Sequence, residues 1–188
     1  MSTSRVPLIT PAEYLEAERR AETKSEYLAG QVYAMTGASM RHNLIVANLV
    51  SSLHAQLKGR LCSVLPSDMR LHVPTGLYTY PDVTVVCGTP QLEDEHLDTL
   101  LNPTLLIEVL SDSTERYDRG RKAEHYRRIE SLVEYLLIGQ HEARIERYRR
   151  QGDREWVLSE AIGVDEQIEL SSINCVLTLR DVYDRVLA

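Results

Sequence analysis

The fold is decided by the stretch Leu105-Leu106-Ile107-Glu108-Val109-Leu110, which is apolar except for one carboxylate. A continuous apolar run of this length predicts a strand covered on both faces, as in α/β proteins with helices above and below the sheet. A second such run, Val83-Thr84-Val85-Val86, directly follows Asp82. We therefore predict a central sheet in which two neighbouring strands each bring one carboxylate, Asp82 and Glu108.

Helices and further strands are predicted on either side of these runs. Thr10-Pro11-Ala12-Glu13 forms a capping box with proline at the first helical position, which predicts a short helix. Apolar residues recur every fourth position over 40–58, which predicts a long helix. The other predicted elements are strands over 31–36, 62–73, 80–87, 105–110 and 133–138, a helix over 118–131, a hairpin over 144–148 and 155–159, and a helix over 179–187. This order predicts an α/β fold, with a sheet flanked by α-helices, a β-hairpin extension and a C-terminal helix.

The composition indicates a soluble protein with one domain. The chain has 188 residues, 43% hydrophobic and 26% charged, so we expect a single core over residues 1–188 and exclude disorder. No apolar stretch approaches the roughly 18 to 20 residues that span a bilayer. The N-terminus lacks the basic and apolar segments of a secretory signal, so we expect a cytoplasmic protein. Cys62, Cys87 and Cys175 are widely spaced, which predicts reduced core thiols rather than disulfides or a zinc site.

Charge is distributed unevenly along the chain. The net charge is −7, but residues 116–154 contain eleven Lys or Arg against seven Asp or Glu, whereas the rest contains ten against twenty-one. Two interpretations stay open. The basic segment forms salt-bridged helix and hairpin faces, or it forms a patch that faces phosphates on an otherwise repulsive body.

Asp82 and Glu108 need an explanation, because a buried carboxylate is costly unless it is paired, hydrogen-bonded or bound to a metal. Mg²⁺ prefers an octahedral shell of one or two carboxylates, waters and phosphate oxygens, so this pair and the backbone carbonyl of Val109 would suffice. Alternatively, each carboxylate pairs with an arginine or lies in water at a strand end. Two acids on adjacent central strands favour the metal site. Strand alternation places Glu108 and Leu110 on one face of the sheet.

Lys122 is the best candidate for a basic partner of these acids. The apolar stripe of its predicted helix contains Tyr126 and Ile129, and position 122 continues that stripe one turn earlier, so the amine should face the sheet. The chain has only three Lys against eighteen Arg. An amine, unlike a guanidinium, can orient a water or lose its proton. The alternative is a lysine that reaches the surface or only pairs with Glu108.

The order of these residues resembles the motif of the PD-(D/E)XK nuclease superfamily, an acid followed by acid-any-Lys. It consists here of Pro81-Asp82, then Glu108-Val109-Leu110, then Lys122 on the next helix. Leu110 departs from the motif, because the superfamily has lysine there; the amine has moved to the helix, a migration that the superfamily tolerates. Over roughly residues 10–185 the chain resembles the Uma family of restriction-endonuclease-like proteins, and the matching segments are 26–32, 42–43, 80–83, 103–111, 117–122 and Tyr126.

This resemblance implies a restriction-endonuclease-like mixed sheet of about four to five strands, flanked by helices, with the site at one edge. It also implies an endonuclease that depends on Mg²⁺ or Mn²⁺, in which Asp82 and Glu108 bind the metal and Lys122 orients the attacking water. Glu26 is a further acid of the site or, equally well, a surface charge. The weaker candidates for the same cleft are His42, whose alternative is a capping or core histidine, and Tyr126, whose alternative is a packing group. The residues interpreted as caps, turn residues or packing groups are Asp68, Asp112, Asp118 and Tyr117.

The expected partner is DNA. The candidate phosphate contacts are Arg119, Arg121, Arg127 and Arg128. Cutting both strands of a duplex favours a symmetric homodimer, and no membrane partner is expected. Two other functions stay open. Leu110 at the usual lysine position is compatible with a nuclease-like fold that only binds nucleic acid or protein, and paired carboxylates also serve glycoside hydrolysis.

Overall fold

Strand β8 (Leu105–Val109) lies inside a six-stranded mixed sheet, the first sheet of the computed structural model, which describes residues 8–187. The other strands of this sheet are β3 (Cys62–Pro66), β6 (Val83–Cys87), β9 (Glu134–Ile138), β10 (Arg144–Gln151) and β11 (Glu155–Ile162). Their order is β11-β10-β9-β8-β6-β3. Within this sheet β8 is parallel to β9 and antiparallel to β6. The two central strands are therefore buried on both faces, as their apolar sequences predict.

A second sheet of five strands packs against one face of the first. Its strands are β1 (Ser25–Leu28), β2 (Gln31–Ala34), β4 (Arg70–His72), β5 (Tyr78–Thr79) and β7 (Thr99–Leu100), in the order β2-β1-β5-β4-β7. Leu71 and Leu77 from this side form a core with Leu106 and Leu137 of the first sheet. The remaining strands, β12 (Gln167–Leu170) and β13 (Cys175–Thr178), form a separate antiparallel pair. The space between the two large sheets is where the candidate site lies.

Helices cover the outer faces and fill the end of this space. They are α1 (Pro11–Glu18), α2 (Met40–Leu57), α3 (Glu115–Tyr117), α4 (Ala123–Tyr126) and α5 (Leu179–Val182), and a π-helical turn (Asp118–Lys122) joins α3 to α4. The apolar stripe of α2, including Ile45 and Leu49, packs on Val83 and Ile107 on the opposite face of the first sheet. The capping box predicted at Thr10 is present.

The predicted fold class is confirmed, with mixed sheets flanked by few helices, a long hairpin and a C-terminal helix. The predicted alternation in β8 is also confirmed. Ile107 and Val109 contact the core under α2, whereas Leu106 and Leu110 belong to the core between the two sheets. The first sheet has six strands rather than four to five, because the hairpin joins it: β10 pairs with β9, and β11 pairs with β10. The single domain over residues 1–188 stays a prediction.

Several predicted elements have different bounds, and three of them differ for a reason that the structure shows. The strand over 62–73 is two strands in different sheets, because Pro66 accepts a turn hydrogen bond from the Met69 N–H. The helix over 118–131 ends at Tyr126, and the Arg150 guanidinium then binds carbonyl groups of residues 129 and 132. The C-terminal helix ends at Val182, where the Asn48 amide donates to the Val182 carbonyl. In each case a distant or local partner satisfies the backbone groups at the end of the element.

The prediction of three reduced thiols is wrong for two of them. Cys62 and Cys87 lie directly opposite each other in the β3–β6 pair and form a disulfide. Cys175 is a free and buried thiol, as predicted. Strand register, which the spacing of 25 residues does not show, brings the pair together. Within residues 8–187 no helix combines the length and apolarity needed to cross a bilayer. The cytoplasmic location stays a prediction, and a disulfide is uncommon there.

Candidate active site

Asp82 directly precedes β6, and Glu108 lies on the neighbouring strand β8. Val83 is opposite Ile107 in the antiparallel β6–β8 pair, so the same register places Asp82 opposite Glu108. Directly opposed residues project from one face of a sheet. Oδ2 of Asp82 accepts a 2.7 Å hydrogen bond from the backbone N–H of Val109. Val109 therefore holds Asp82 through its amide, whereas the role expected for its carbonyl stays a prediction.

Lys122 reaches the same point from the helical segment. Its side chain is 6% exposed, and Nζ lies 2.9 Å from Oε1 of Glu108. Lys122 ends the π-helical turn, a structure that frequently occurs at functional sites. The expectation that the amine faces the sheet is confirmed, and the pairing with Glu108 is observed. Leu110 is buried between the sheets, so an amine reaches Glu108 from the helix while an apolar side chain occupies the usual lysine position.

Two further carboxylates share the Lys122 amine. Oε1 of Glu26 lies 3.2 Å from Nζ, and Oδ1 of Asp118 lies 3.6 Å from it. Glu26 comes from β1 in the second sheet and accepts a hydrogen bond from the Thr79 hydroxyl on β5. Asp118 lies one turn before Lys122. Glu26 is therefore a residue of the cluster and not a surface charge.

The cluster carries more negative than positive charge. Glu26, Asp82, Glu108 and Asp118 are grouped around one ammonium, in a region where burial penalises charge. Burial raises the pKa of Glu108 to about 8, although the Lys122 amine lowers it, and the Asp118 and Asp82 charges add to the increase. Burial likewise raises the pKa of Asp118. An added cation would relieve both effects.

Lys122 holds its proton in this environment. Burial lowers the pKa of its amine, but the charges of Glu108, Glu26 and Asp118 outweigh burial and raise it well above its ordinary value. The ring of Tyr117, one of the residues interpreted as packing groups, lies 6.0 Å from Nζ. Lys122 is therefore a hydrogen-bond donor and a fixed positive charge, and it cannot be a base near neutral pH.

The two weaker candidates also lie in the site. The Tyr126 hydroxyl donates a 2.6 Å hydrogen bond to Oε1 of Glu108. Nε2 of His42 lies 3.1 Å from Oδ2 of Asp82. His42 is in the first turn of α2, and its backbone N–H donates to the Ser39 hydroxyl that caps the helix. These contacts fix one oxygen of each central carboxylate.

The contacts of the two central carboxylates leave one oxygen of each without a partner among residues 8–187. Within residues 8–187 the hydrogen bonds to Asp82 all reach Oδ2, and those to Glu108 all reach Oε1. Two hard oxygens and a surplus of negative charge suit Mg²⁺ or Mn²⁺. No group of three His, Cys, Asp or Glu side chains in this part of the chain could hold a metal ion. Such an ion would therefore take its other ligands from water and substrate.

The predicted phosphate contacts divide into two kinds. Arg119 forms ion pairs with Glu115, at 2.7 Å, and with the buried carboxylate of Glu146. Its guanidinium therefore belongs to a salt-bridged face, the first of the two interpretations of the basic segment. The other three candidates have exposed side chains: Arg121, Arg127 and Arg128.

Sequence reasoning missed Asp118 and Thr79 as members of the cluster. Asp118 precedes Lys122 by four residues, a spacing that places two side chains on one helical face, and this was the available indication. Thr79 lies on a strand of two residues, too short to show a periodic pattern. The other acids interpreted as turn or cap residues, Asp68 and Asp112, lie at the surface in ion pairs with Lys24 and His141.

Comparison with known proteins gives the family. Residues 11–180 match the model of the Uma2 family, which is described as "Putative restriction endonuclease". The chain belongs to the Uma2 family. Two relatives that are named as uncharacterized proteins come from Synechocystis sp. (strain ATCC 27184 / PCC 6803 / Kazusa). The protein sll1609 is 39% identical over 91% of this chain and 97% of its own length, and slr1290 is 36% identical over 94% and 92%.

A crystal structure supports the Uma2 fold independently. It is of "a putative nuclease belonging to DUF820" from Anabaena variabilis ATCC 29413, and it matches with a TM-score of 0.76 over 95% of this chain and 99% of that one. At 21% identity the match concerns the fold alone. The family match and this fold match together confirm the PD-(D/E)XK-like nuclease fold expected from the sequence.

Proposed function

We propose that the protein is a Mg²⁺-dependent endonuclease that hydrolyses phosphodiester bonds of DNA, with Mn²⁺ as a substitute. The observation that carries this proposal is the convergence of Asp82, Glu108 and Lys122, which come from the start of β6, from β8 and from the π-helical turn. Two adjacent carboxylates with free oxygens suit a divalent cation, and a fixed ammonium beside them suits a phosphate that gains negative charge. Membership of a nuclease family agrees with this chemistry.

In this proposal the acidic residues bind the metal and the ammonium group of Lys122 contacts water and phosphate. A divalent cation bound there would polarise the phosphoryl oxygens and lower the pKa of water. Asp82 and Glu108 would hold that cation through Oδ1 and Oε2, the oxygens without hydrogen bonds from residues 8–187. The Lys122 ammonium would donate to the attacking water and to the phosphate oxygen that becomes more negative. Glu26 would assist by orienting Lys122, which it contacts at 3.2 Å.

Tyr126 and His42 would act as positioning residues. The Tyr126 hydroxyl fixes the rotamer of Glu108, and His42 and the Val109 amide fix that of Asp82. The positions of these two carboxylates matter, because an error of about 1 Å in the position of the reacting atoms lowers the reaction rate by a large factor. Of the predicted phosphate contacts, we propose the exposed arginines at 121, 127 and 128 for the DNA backbone, and a homodimer for cutting both strands.

The proposal is tested by nicking of supercoiled plasmid by the purified full chain, with Mg²⁺, with Mn²⁺ and with a chelator. We expect cutting only with metal, and a loss of at least about 100-fold in rate for Asp82→Asn and Lys122→Met. Asp68→Asn and Lys24→Met are matched controls, because they remove the same charges from a surface ion pair, and they should cut as the wild type does.

The alternative is a nuclease-like fold that only binds nucleic acid. It predicts salt-sensitive DNA binding without metal and without cutting, lost when the exposed arginines are neutralised. Cutting by Asp82→Asn at the wild-type rate would contradict the nuclease proposal. Unchanged hydrolysis in the chelator would contradict the metal dependence.

A further inference from the structure

An aromatic side chain stands beside the candidate site at the sheet edge. Tyr33 on β2 is directly opposite Glu26 on β1. Opposed residues of an antiparallel pair share a face and have Cβ atoms about 4.5 to 5.5 Å apart. Leu28 lies on this same face and packs on the core between the sheets, whereas Tyr27 on the other face packs under α1. The Tyr33 ring therefore starts on the side of the sheet from which Glu26 contacts Lys122.

Tyr33 is exposed, unlike the other tyrosines. The chain has ten tyrosines, all within the described residues, and among them Tyr33 alone is exposed, at 49%. It lies on the edge strand of the second sheet, all four residues of which are exposed. Its hydroxyl donates a 2.6 Å hydrogen bond to Oε1 of Gln31. The polar end of the side chain is thus bound, and the ring is oriented with its surface in water.

We infer that Tyr33 is the base-stacking residue of this site, and that the substrate has an unpaired nucleotide next to the cleaved phosphate. The inference rests on the proposed function. Aromatic side chains stack on bases of any sequence, but they reach only bases that are outside a duplex stack. A ring beside Glu26, which itself contacts Lys122, would select single-stranded DNA, or an unpaired junction, over intact duplex.

Binding of a single-stranded oligonucleotide that contains 2-aminopurine tests this inference, with Ca²⁺ in place of Mg²⁺. Stacking quenches the fluorescence of 2-aminopurine. We expect quenching by the wild type, by Tyr33→Trp and by Tyr33→Phe. Tyr33→Leu should lose the quenching and bind the strand about 5- to 150-fold more weakly, the range expected for one stacked base. Binding of the matching duplex should stay unchanged.

Val32→Ala is the matched control, because Val32 is 47% exposed on the same strand but projects from the opposite face. It should leave single-strand binding unchanged. Equal binding by Tyr33→Leu and the wild type, or an equal loss on single strand and duplex, would overturn the inference. If a second copy of the chain covers Tyr33, the wild type should be a dimer and the Tyr33→Leu protein a monomer. That result would also overturn the inference. Stacking without cutting of either the plasmid or the single strand in Mg²⁺ by the wild type would instead refute only the hydrolytic proposal.

Discussion

Glu108 and Glu134 occupy neighbouring strands of the same sheet and are both buried, but their surroundings differ. Glu134 accepts hydrogen bonds from the Ser171 hydroxyl and from the backbone and hydroxyl of Ser172, and Arg147 lies 3.7 Å away. One carboxylate there has one cation and three donors. Glu108 shares one ammonium with other carboxylates and keeps one oxygen without a partner in residues 8–187.

The difference separates a structural acid from an acid of a site. A buried carboxylate that is fully paired and hydrogen-bonded contributes to the fold and needs nothing more. A buried cluster with surplus charge costs stability in the metal-free protein, and such arrangements are typical of places where a ligand supplies the missing charge. The comparison can therefore be tested by giving both residues the same substitution.

The largest expected effect is on catalysis. Glu108→Gln should lower the rate of plasmid nicking by about 1,000-fold, because the amide removes a charge that the cation needs. Glu134→Gln should leave the rate of the folded protein unchanged, since Glu134 lies at the other end of the β8–β9 pair. Equal rates for the two variants, measured at a temperature where both are folded, would break the comparison.

The next effect is on stability, where Glu134→Gln should have a larger effect than Glu108→Gln. Glu134→Gln should lower the free energy of unfolding by about 3 kcal/mol, because it leaves Arg147 and the serine donors without their charged partner. Glu108→Gln should cost much less at neutral pH, since its carboxyl is already largely protonated with a pKa of about 8. Urea unfolding of the metal-free proteins measures both values. A larger loss for Glu108→Gln would show that the Lys122 pairing is a structural ion pair.

The smallest expected effect is a pH slope. The pKa of Glu108 is raised from 4.5 to about 8, so the folded state holds this proton more tightly than the unfolded state. The contribution of Glu108 to the free energy of unfolding of the metal-free wild type should therefore be largest below about pH 4.5, and it should be lost as pH rises through about 8. Glu108→Gln should remove this component, so that its stability relative to the wild type improves from pH 5 to pH 9 by about 1 to 3 kcal/mol. Parallel pH profiles for the two proteins would contradict the raised pKa.

Much of the first sheet and part of the site can be predicted from the sequence. Apolar runs identified β6 and β8, alternation placed Glu108 on the correct face, and helical periodicity placed Lys122 opposite it. These features depend on local patterns, which a single sequence contains.

The second sheet could not be predicted in the same way. Strands β5 and β7 have two residues each and show no period, and Glu26 and Thr79 meet only because β1 and β5 pair across a long stretch of chain. The Cys62–Cys87 disulfide depends on strand register, and the π-helical turn that presents Asp118 shows no apolar period that distinguishes it from an α-helix. The features that the sequence does not predict are therefore those that depend on contacts between distant parts of the chain.

Calorimetric titration of Mn²⁺ into the metal-free full chain at pH 8 tests the central claim most directly. We predict binding by the wild type that weakens as pH falls below 8, because the cation competes with the Glu108 proton. Binding should be lost in Asp82→Asn and Glu108→Gln and retained in Glu134→Gln. Unchanged binding in Asp82→Asn, or no binding by the wild type, would contradict a divalent cation site between Asp82 and Glu108.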